Sequence, residues 1–94
     1  MSFELDLEAA KIALNELFPS NPNLGERFHQ VIEEHEYNDG ESIVDDIEDA
    51  EDSNIADELQ INDKTQLNIF CKVVIQIFKD HNYETSSFKP KQGN

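Results

Sequence analysis

Carboxylates are the most abundant side chains in this sequence that could carry chemistry. No Lys or Arg occurs in residues 28–63, and this window holds fourteen acidic residues. They are Glu33, Glu34, Glu36, Asp39, Glu41, Asp45, Asp46, Glu48, Asp49, Glu51, Asp52, Asp57, Glu58 and Asp63. Such a density predicts a strongly negative surface on whatever element carries the middle of the chain.

The spacing of these carboxylates favours one helical face. Asp45, Asp49 and Asp52 follow one another at intervals of four and three, with Glu41 and Glu48 beside them. Neighbours at such intervals lie ~5–6 Å apart between Cβ atoms. Two carboxylates ~6 Å apart in water repel by roughly 0.7 kcal/mol before salt screening. The array therefore costs stability, and a cationic partner would relieve that cost.

The net charge indicates which partners the chain can bind. Twenty-one acidic residues stand against seven Lys and Arg, giving a formal charge of −14. Nucleic acid and anionic membrane would be repelled, so we expect neither as a direct partner. Carboxylates several ångströms apart can instead stand in for phosphates, which occur every ~3.4 Å along each nucleic-acid strand. We expect a basic protein partner, such as a nuclease, a toxin or a defence factor.

These patterns predict a protein-binding inhibitor that blocks a basic, nucleic-acid-binding surface. In charge and size, though in no motif, the chain resembles small acidic immunity proteins, antitoxins and phage-encoded nucleic-acid mimics. An aromatic residue beside the acidic window is a candidate interface anchor. The alternative to an inhibitor is that the acidic face serves only to keep the chain in solution. The predicted partner-binding residues are Tyr37, Glu41, Asp45, Asp46, Glu48, Asp49 and Asp52.

Metal-binding patterns fit the sequence poorly. An EF-hand loop with Gly40 at its centre would place His35 and Tyr37 where oxygen ligands are needed. Glu26 and His29 have the spacing of a di-iron helix, but a second Glu-x-x-His pair is missing. We expect no specific metal site and no cofactor, and leave open only weak divalent binding along residues 45–52.

Catalytic patterns are missing as well, so we do not expect an enzyme. The single cysteine, Cys71, lies inside an apolar run and is expected to fill core space. Gly40-Glu41-Ser42-Ile43 is similar to the Asp-Ser-Leu attachment motif of small helical carrier proteins, with Glu41 in place of the Asp. A carrier-like module, or a regulatory adaptor that binds through an apolar helical groove, are therefore the alternative functions.

Apolar periodicity predicts helices in the first half of the chain. Residues 3–18 repeat apolar side chains at helical spacing and end before Pro19. Asn21 followed by Pro22 predicts the start of a second helix, which Asn38-Asp39-Gly40 should stop. The second helix should bury one face, made of Leu24, Phe28, Val31, Ile32 and His35.

The second half of the chain predicts further helices. A third helix should start near Glu41 or Ser42. Asp52-Ser53-Asn54 can either end that helix or cap a short fourth one. A final helix, capped by Asp63, should run from residue 64 to about residue 81. Its β-branched residues 71–78 could also form a strand. The expected buried positions are Ile43, Val44, Ile47, Ala50, Ile55, Ala56, Leu59, Leu67, Ile69, Phe70, Cys71, Val73, Val74, Ile75, Ile77 and Phe78.

Together these segments predict an all-α bundle of four to five short helices with the C-terminal helix at its centre. Residues 1–83 should form one domain and residues 84–94 a flexible tail. The N-terminus lacks the features of a secretory signal, and no stretch reaches the ~20 apolar residues of a membrane span. With a single cysteine, the chain fits the cytoplasm best. Its oligomeric state stays open.

Overall fold

Helices make up the regular structure of the chain in this computed structural model, which describes residues 3–48 and 55–83. They are α1 (Phe3–Leu17), α2 (Leu24–Glu34), α3 (Gly40–Glu48), the single turn α4 (Ile55–Glu58) and α5 (Lys64–Phe78). No residue of these two ranges lies in a strand. The all-α prediction is thus confirmed, and the strand alternative for residues 71–78 is wrong because this stretch is helical.

Apolar helix faces meet in one core. Helix α1 packs against α2 and α5, and α5 also packs against α3. The ring of Phe28 meets Phe70 edge-on at 5.8 Å between centroids, while Phe78 lies between Phe3 at 6.0 Å and Phe28 at 6.2 Å. Because these rings come from α1, α2 and α5, the three helices share one aromatic cluster.

The start of α2 differs from the prediction. Leu24 rather than Pro22 begins the regular helix, and Asn23 adopts a left-handed φ of 62° without a side-chain cap. The expected cap, Asn21, is engaged elsewhere, since its Oδ1 accepts a hydrogen bond from Arg27 Nη2. The Asn-Pro pattern therefore predicts the start of α2 two residues too early.

Asn15 of α1 takes over the capping of α2. Its Oδ1 accepts the backbone N–H of Gly25 at 2.8 Å, and its Nδ2 donates to Glu26 Oε1 at 2.7 Å. This hydrogen bond lowers the pKa of Glu26. Gly25 also permits the close contact between the helices, because a Cβ there would come 2.0 Å from the carbonyl oxygen of Lys11.

Gly25→Ala should therefore force α1 and α2 apart. We expect a loss of about 1–3 kcal/mol in the free energy of unfolding, as for overpacked interiors. Urea denaturation followed by circular dichroism measures it. Gln30→Ala, at an exposed position of the same helix, should change the value by less than about 0.5 kcal/mol. Equal effects of the two substitutions would contradict this close contact.

The end of α2 also comes earlier than predicted. The N–H groups of Glu36 and Tyr37 bond the carbonyls of Glu33 and Ile32, with Glu36 in the left-handed region at φ 59°. This is a Schellman ending with Glu where Gly is usual. His35 becomes the C-terminal cap, and its exposed side chain corrects the expectation that it lies on the buried face.

Asn38-Asp39-Gly40 starts α3 instead of ending α2. Asp39 Oδ1 accepts the backbone N–H of Ser42 at 2.8 Å, which is an N-cap hydrogen bond. A Cβ on Gly40 would lie 2.9 Å from the carbonyl oxygen of Phe78. The absence of a side chain at Gly40 therefore lets the start of α3 approach the end of α5.

Glu36→Gly should stabilise the protein. Glycine adopts a left-handed φ without steric cost, and the substitution also removes a negative charge from a helix C-terminus. We expect a gain of roughly 1 kcal/mol in the free energy of unfolding, measured by urea denaturation. Glu36→Gln removes the charge alone and should recover less than half of this gain. A destabilised glycine variant would contradict the left-handed ending.

Helix α5 begins as predicted and ends sooner. Asp63 Oδ1 accepts the backbone N–H groups of Thr65 and Gln66. The helix ends at Phe78, so His81 lies beyond it in a left-handed conformation with φ 53°. The prediction of helix up to about residue 81 is wrong because a hydrogen bond from Asn82 N–H to Gln76 O closes the helix end.

Several predictions fall outside the described residues. These concern Ala50, the burial of Ala56, the Asp52-Ser53-Asn54 signal and the tail 84–94. In the fourth helical segment Ile55 is buried, as is Leu59 directly after it. Within the part of the chain that the structure describes, no helix combines the length and the apolar character needed to cross a bilayer.

Candidate functional site

An acidic groove of about 510 Å³ lies between α3 and the end of α5. Glu41, Asp45 and Glu48 form one wall, since intervals of four and three place them on one face of α3. The opposite wall carries Lys79 and His81. The buried residues Val44 and Phe78 also line the groove, as does Gly40.

Packing of α3 explains why this wall is acidic. Ile43, Val44 and Ile47 are buried, so the remaining positions of the helix must face solvent. Glu41, Asp45 and Glu48 are exposed, and none of the three has an ion-pair or hydrogen-bond partner within residues 3–48 and 55–83. No direct ion pair or hydrogen bond therefore offsets their mutual repulsion inside this part of the molecule.

The predicted partner-binding residues divide into three groups. The groove brings together Glu41, Asp45 and Glu48. Asp46 is exposed but does not line the groove, because successive helical residues are turned by about 100°. Asp49 and Asp52 lie outside the described residues. Only half of the predicted acidic set is therefore placed on one described surface.

Tyr37 and Asp46 belong to a second polar cluster. The Tyr37 hydroxyl donates to Asp46 Oδ2, and the ring stacks on His35 at 5.9 Å between centroids. His35 Nε2 lies 2.8 Å from Glu58 Oε2. Burial, followed by the hydrogen bond to Asp46, raises the pKa of Tyr37. This cluster ties the end of α2 to α3 and α4, so Tyr37 is held half-buried beside the acidic helix.

A buried carboxylate on α1 was missed by the sequence analysis. Asp6 is 2% exposed; its Oδ2 lies 3.1 Å from His81 Nδ1, and its Oδ1 accepts the Tyr83 hydroxyl at 2.6 Å. This hydrogen bond raises the pKa of Tyr83. The available signal was the position of Asp6, three residues after Phe3 and four before Ala10 on the apolar stripe.

His81 connects this carboxylate to the groove. Its ring nitrogen contacts Asp6 of α1, while its side chain lines the acidic groove opposite α3. The chain segment after α5 is thus fixed to α1 at the same end of the molecule where α3 begins. One wall of the groove is thereby held in position by a contact 75 residues apart in sequence.

The other residues considered for metal binding or catalysis are Cys71, His29 and Ser42. No group of three His, Cys, Asp or Glu side chains among the described residues could hold a metal ion. Cys71 is half-buried against the core, and burial raises the pKa of its thiol. His29 lines a second groove of about 410 Å³ together with Glu33. Ser42 is exposed in the first turn of α3.

Comparison with known proteins identifies no relative. No protein-family model, curated protein or solved structure matches the chain.

Alkaline titration should report on the hydrogen-bonding contacts of the two tyrosine side chains. Tyr37 and Tyr83 are the two tyrosines of the chain, and it has no Trp. Both pKa values are raised above the ordinary 10.0. Because a raised pKa favours the neutral form in the folded state, stability should be unaffected below pH 10 and should fall as pH rises beyond it.

Phenolate absorbance in the folded protein and urea denaturation across this pH range measure the effect. Tyr37→Phe should remove one of the two phenolate transitions and weaken the alkaline loss of stability. Normal ionisation of both phenols in the folded protein would contradict these contacts.

Proposed function

We propose that the protein is a non-enzymatic inhibitor that binds and blocks the basic, nucleic-acid-binding surface of a partner protein. The observation that carries the proposal is the wall of Glu41, Asp45 and Glu48, whose charges have no partner among the described residues. The partner would be a basic protein of the cytoplasm, such as a nuclease, a toxin or a defence factor. Neither nucleic acid nor membrane is bound directly, and no cofactor is required.

The spacing of the wall suits cationic side chains that normally grip phosphates. Intervals of four and three residues on a helix correspond to axial steps of ~6 Å and ~4.5 Å, of the same order as the ~3.4 Å axial phosphate repeat of a nucleic-acid strand. Arginine can bind a carboxylate with two parallel hydrogen bonds, as it binds phosphate. A groove in the partner that is lined by Arg and Lys would therefore accept this wall as a substitute ligand.

In this proposal, the other predicted partner-binding residues extend the same surface. Asp49 and Asp52 continue the sequence intervals beyond the end of the described helix, while Tyr37 and Asp46 flank it. A net charge of −14 would steer a basic partner into encounter and raise the association rate, an effect that salt weakens.

Contacts of α5 with both α1 and α3 support a bundle of four to five helices organised around the C-terminal helix. Residues 1–83 would form the folding unit that presents the groove, followed by a tail over residues 84–94.

Neutralising the wall should abolish partner capture. The variant Glu41→Gln/Asp45→Asn/Glu48→Gln and the parent are used as bait in native lysate at low and high salt. The parent should retain a basic nucleic-acid-binding protein at low salt and inhibit its binding to nucleic acid. The variant should bind that protein about 100-fold or more weakly, because each charge-assisted hydrogen bond contributes roughly 1.5–3 kcal/mol.

A matched control variant distinguishes the effect of the α3 wall from the effect of overall charge. Glu16→Gln/Glu33→Gln/Glu34→Gln removes the same number of charges at exposed positions of α1 and α2. It should capture the partner within a few-fold of the parent. Equal capture by parent and groove variant, or equal losses in both triple variants, would refute a role for the α3 wall.

A regulatory adaptor is the second candidate function. Leu5 and Ile12 are 57% and 60% exposed on α1, and they lie seven residues apart on one face. An adaptor would keep its partner at high salt and lose it in Leu5→Ser/Ile12→Ser. The carrier-like alternative would appear as added mass on Ser42 after expression in the native host.

A further inference from the structure

The second groove, of about 410 Å³, lies between α1 and α2 and is lined by several apolar residues. Phe3 and Leu7 line it from α1, Ile32 from α2, and Tyr37 from the segment just after α2. Leu7 and Ile32 are buried, whereas Phe3 and Tyr37 are only half-buried. This α1–α2 groove therefore has two partly accessible aromatic residues, and its volume lies within the ~300–1,000 Å³ of ligand sites.

An apolar ridge on α1, made of Leu5 and Ile12, extends the same surface. The two residues are 57% and 60% exposed. Leu5 precedes Glu8 by three residues and Ile12 follows it by four, so both are neighbours of Glu8 on the helix surface. Glu8 itself lines the α1–α2 groove. The ridge and the groove therefore adjoin, and exposed apolar surface of this kind marks interaction sites.

Carboxylates accompany this apolar surface. Glu4, Glu8 and Glu33 line the α1–α2 groove, and none of the described Lys and Arg residues does. Lys11 pairs with Glu8 at 3.5 Å, but a partly exposed ion pair contributes little to stability. A cation from a partner can therefore compete for Glu8. A ligand that complements this face is both apolar and cationic.

The fold favours a helix as the form of this ligand. A peptide can extend a sheet only where a strand edge is open, and residues 3–48 and 55–83 contain no strand. Leu5 and Ile12 are two helical turns apart, or ~10.5 Å along the axis. The apolar face of another helix repeats at the same i to i+7 interval. A third helix can pack into a groove between two helices through such a face.

We propose that the α1–α2 groove and the apolar ridge bind a basic amphipathic helix of another protein. The apolar face of this helix covers Phe3, Tyr37 and the ridge, and its Lys and Arg side chains pair with the groove carboxylates. The inference goes beyond the inhibitor function, because no residue of α3 lines this groove. It also gives the chemical character of the occupant that an adaptor would require.

Charge argues against other occupants of this face. Nucleic acid and anionic membrane are repelled by the same carboxylates. A second copy of the chain also carries −14, and a two-fold symmetric contact would set the glutamates of the two copies against each other. A basic helix removes apolar surface from water and pairs the carboxylates at the same time.

A synthetic peptide tests the proposal on the full chain. The probe has about 18 residues, enough to form a helix, with Leu on one face, Lys on the flanks and a fluorescent label. Its anisotropy should rise to saturation with added protein at physiological salt. A scrambled peptide of the same composition should bind about tenfold or more weakly, because its Leu side chains cannot all face the groove. A version with Glu in place of Lys should not bind.

Two double variants separate the apolar contribution from the ionic one. Leu5→Ser/Ile12→Ser should bind the probe about tenfold or more weakly at every salt concentration. Glu4→Gln/Glu8→Gln should weaken binding chiefly at low salt, where charge pairing is least screened. Circular dichroism should show parental helix content in both variants.

The matched control is Glu34→Gln/Asp57→Asn, which removes two exposed charges that line neither groove. It should bind the probe within about twofold of the parent. Amide shifts in NMR spectra with the probe should centre on α1 and α2. Shifts centred on α3, equal binding of the scrambled peptide, or an equal loss in the control would overturn the proposal.

Self-association of the chain alone, abolished by Leu5→Ser/Ile12→Ser, would make a second copy the occupant and would also overturn the proposal. Each of these failures leaves the inhibitor proposal intact, because its test neutralises α3 and measures capture of a nucleic-acid-binding protein.

Discussion

Burial of one face of α3 against α5 is the constraint on which the acidic surface depends. Full burial of an aliphatic side chain contributes about 1.5–3 kcal/mol, and Ile43, Val44 and Ile47 are all buried. Repulsion between like charges on a helix costs only a few tenths of a kcal/mol per pair. The apolar face therefore outweighs the carboxylates, and the fold can hold exposed charges together that would not assemble alone.

A second set of contacts fixes the opposite wall of the groove. Asp6 is the one charged residue that is buried among the described residues, and its contacts with His81 and Tyr83 hold residues 81–83 against α1. A buried carboxylate would be costly without such partners. The wall with Lys79 and His81 thus depends on a contact between the two ends of the described chain.

Element types could be predicted from this sequence because apolar periodicity reports burial directly. Helix ends were harder, since α2 is capped by Asn15 from another helix and ends on a left-handed Glu36. One of the two walls of the acidic groove could be predicted from the sequence. Spacing alone placed Glu41 beside Asp45 and Glu48, but the opposite wall, more than 30 residues away in sequence, depends on tertiary packing.

The α3 wall carries repulsion that no direct ion pair or hydrogen bond within the described residues offsets. The direct measurement of this repulsion is the free energy of unfolding of the parent and of Glu41→Gln/Asp45→Asn/Glu48→Gln at low and high salt. The neutralised protein should be more stable by about 0.5–1 kcal/mol at low salt, and salt should erase the difference. A neutralised protein that is equally stable or less stable at low salt would contradict the claim.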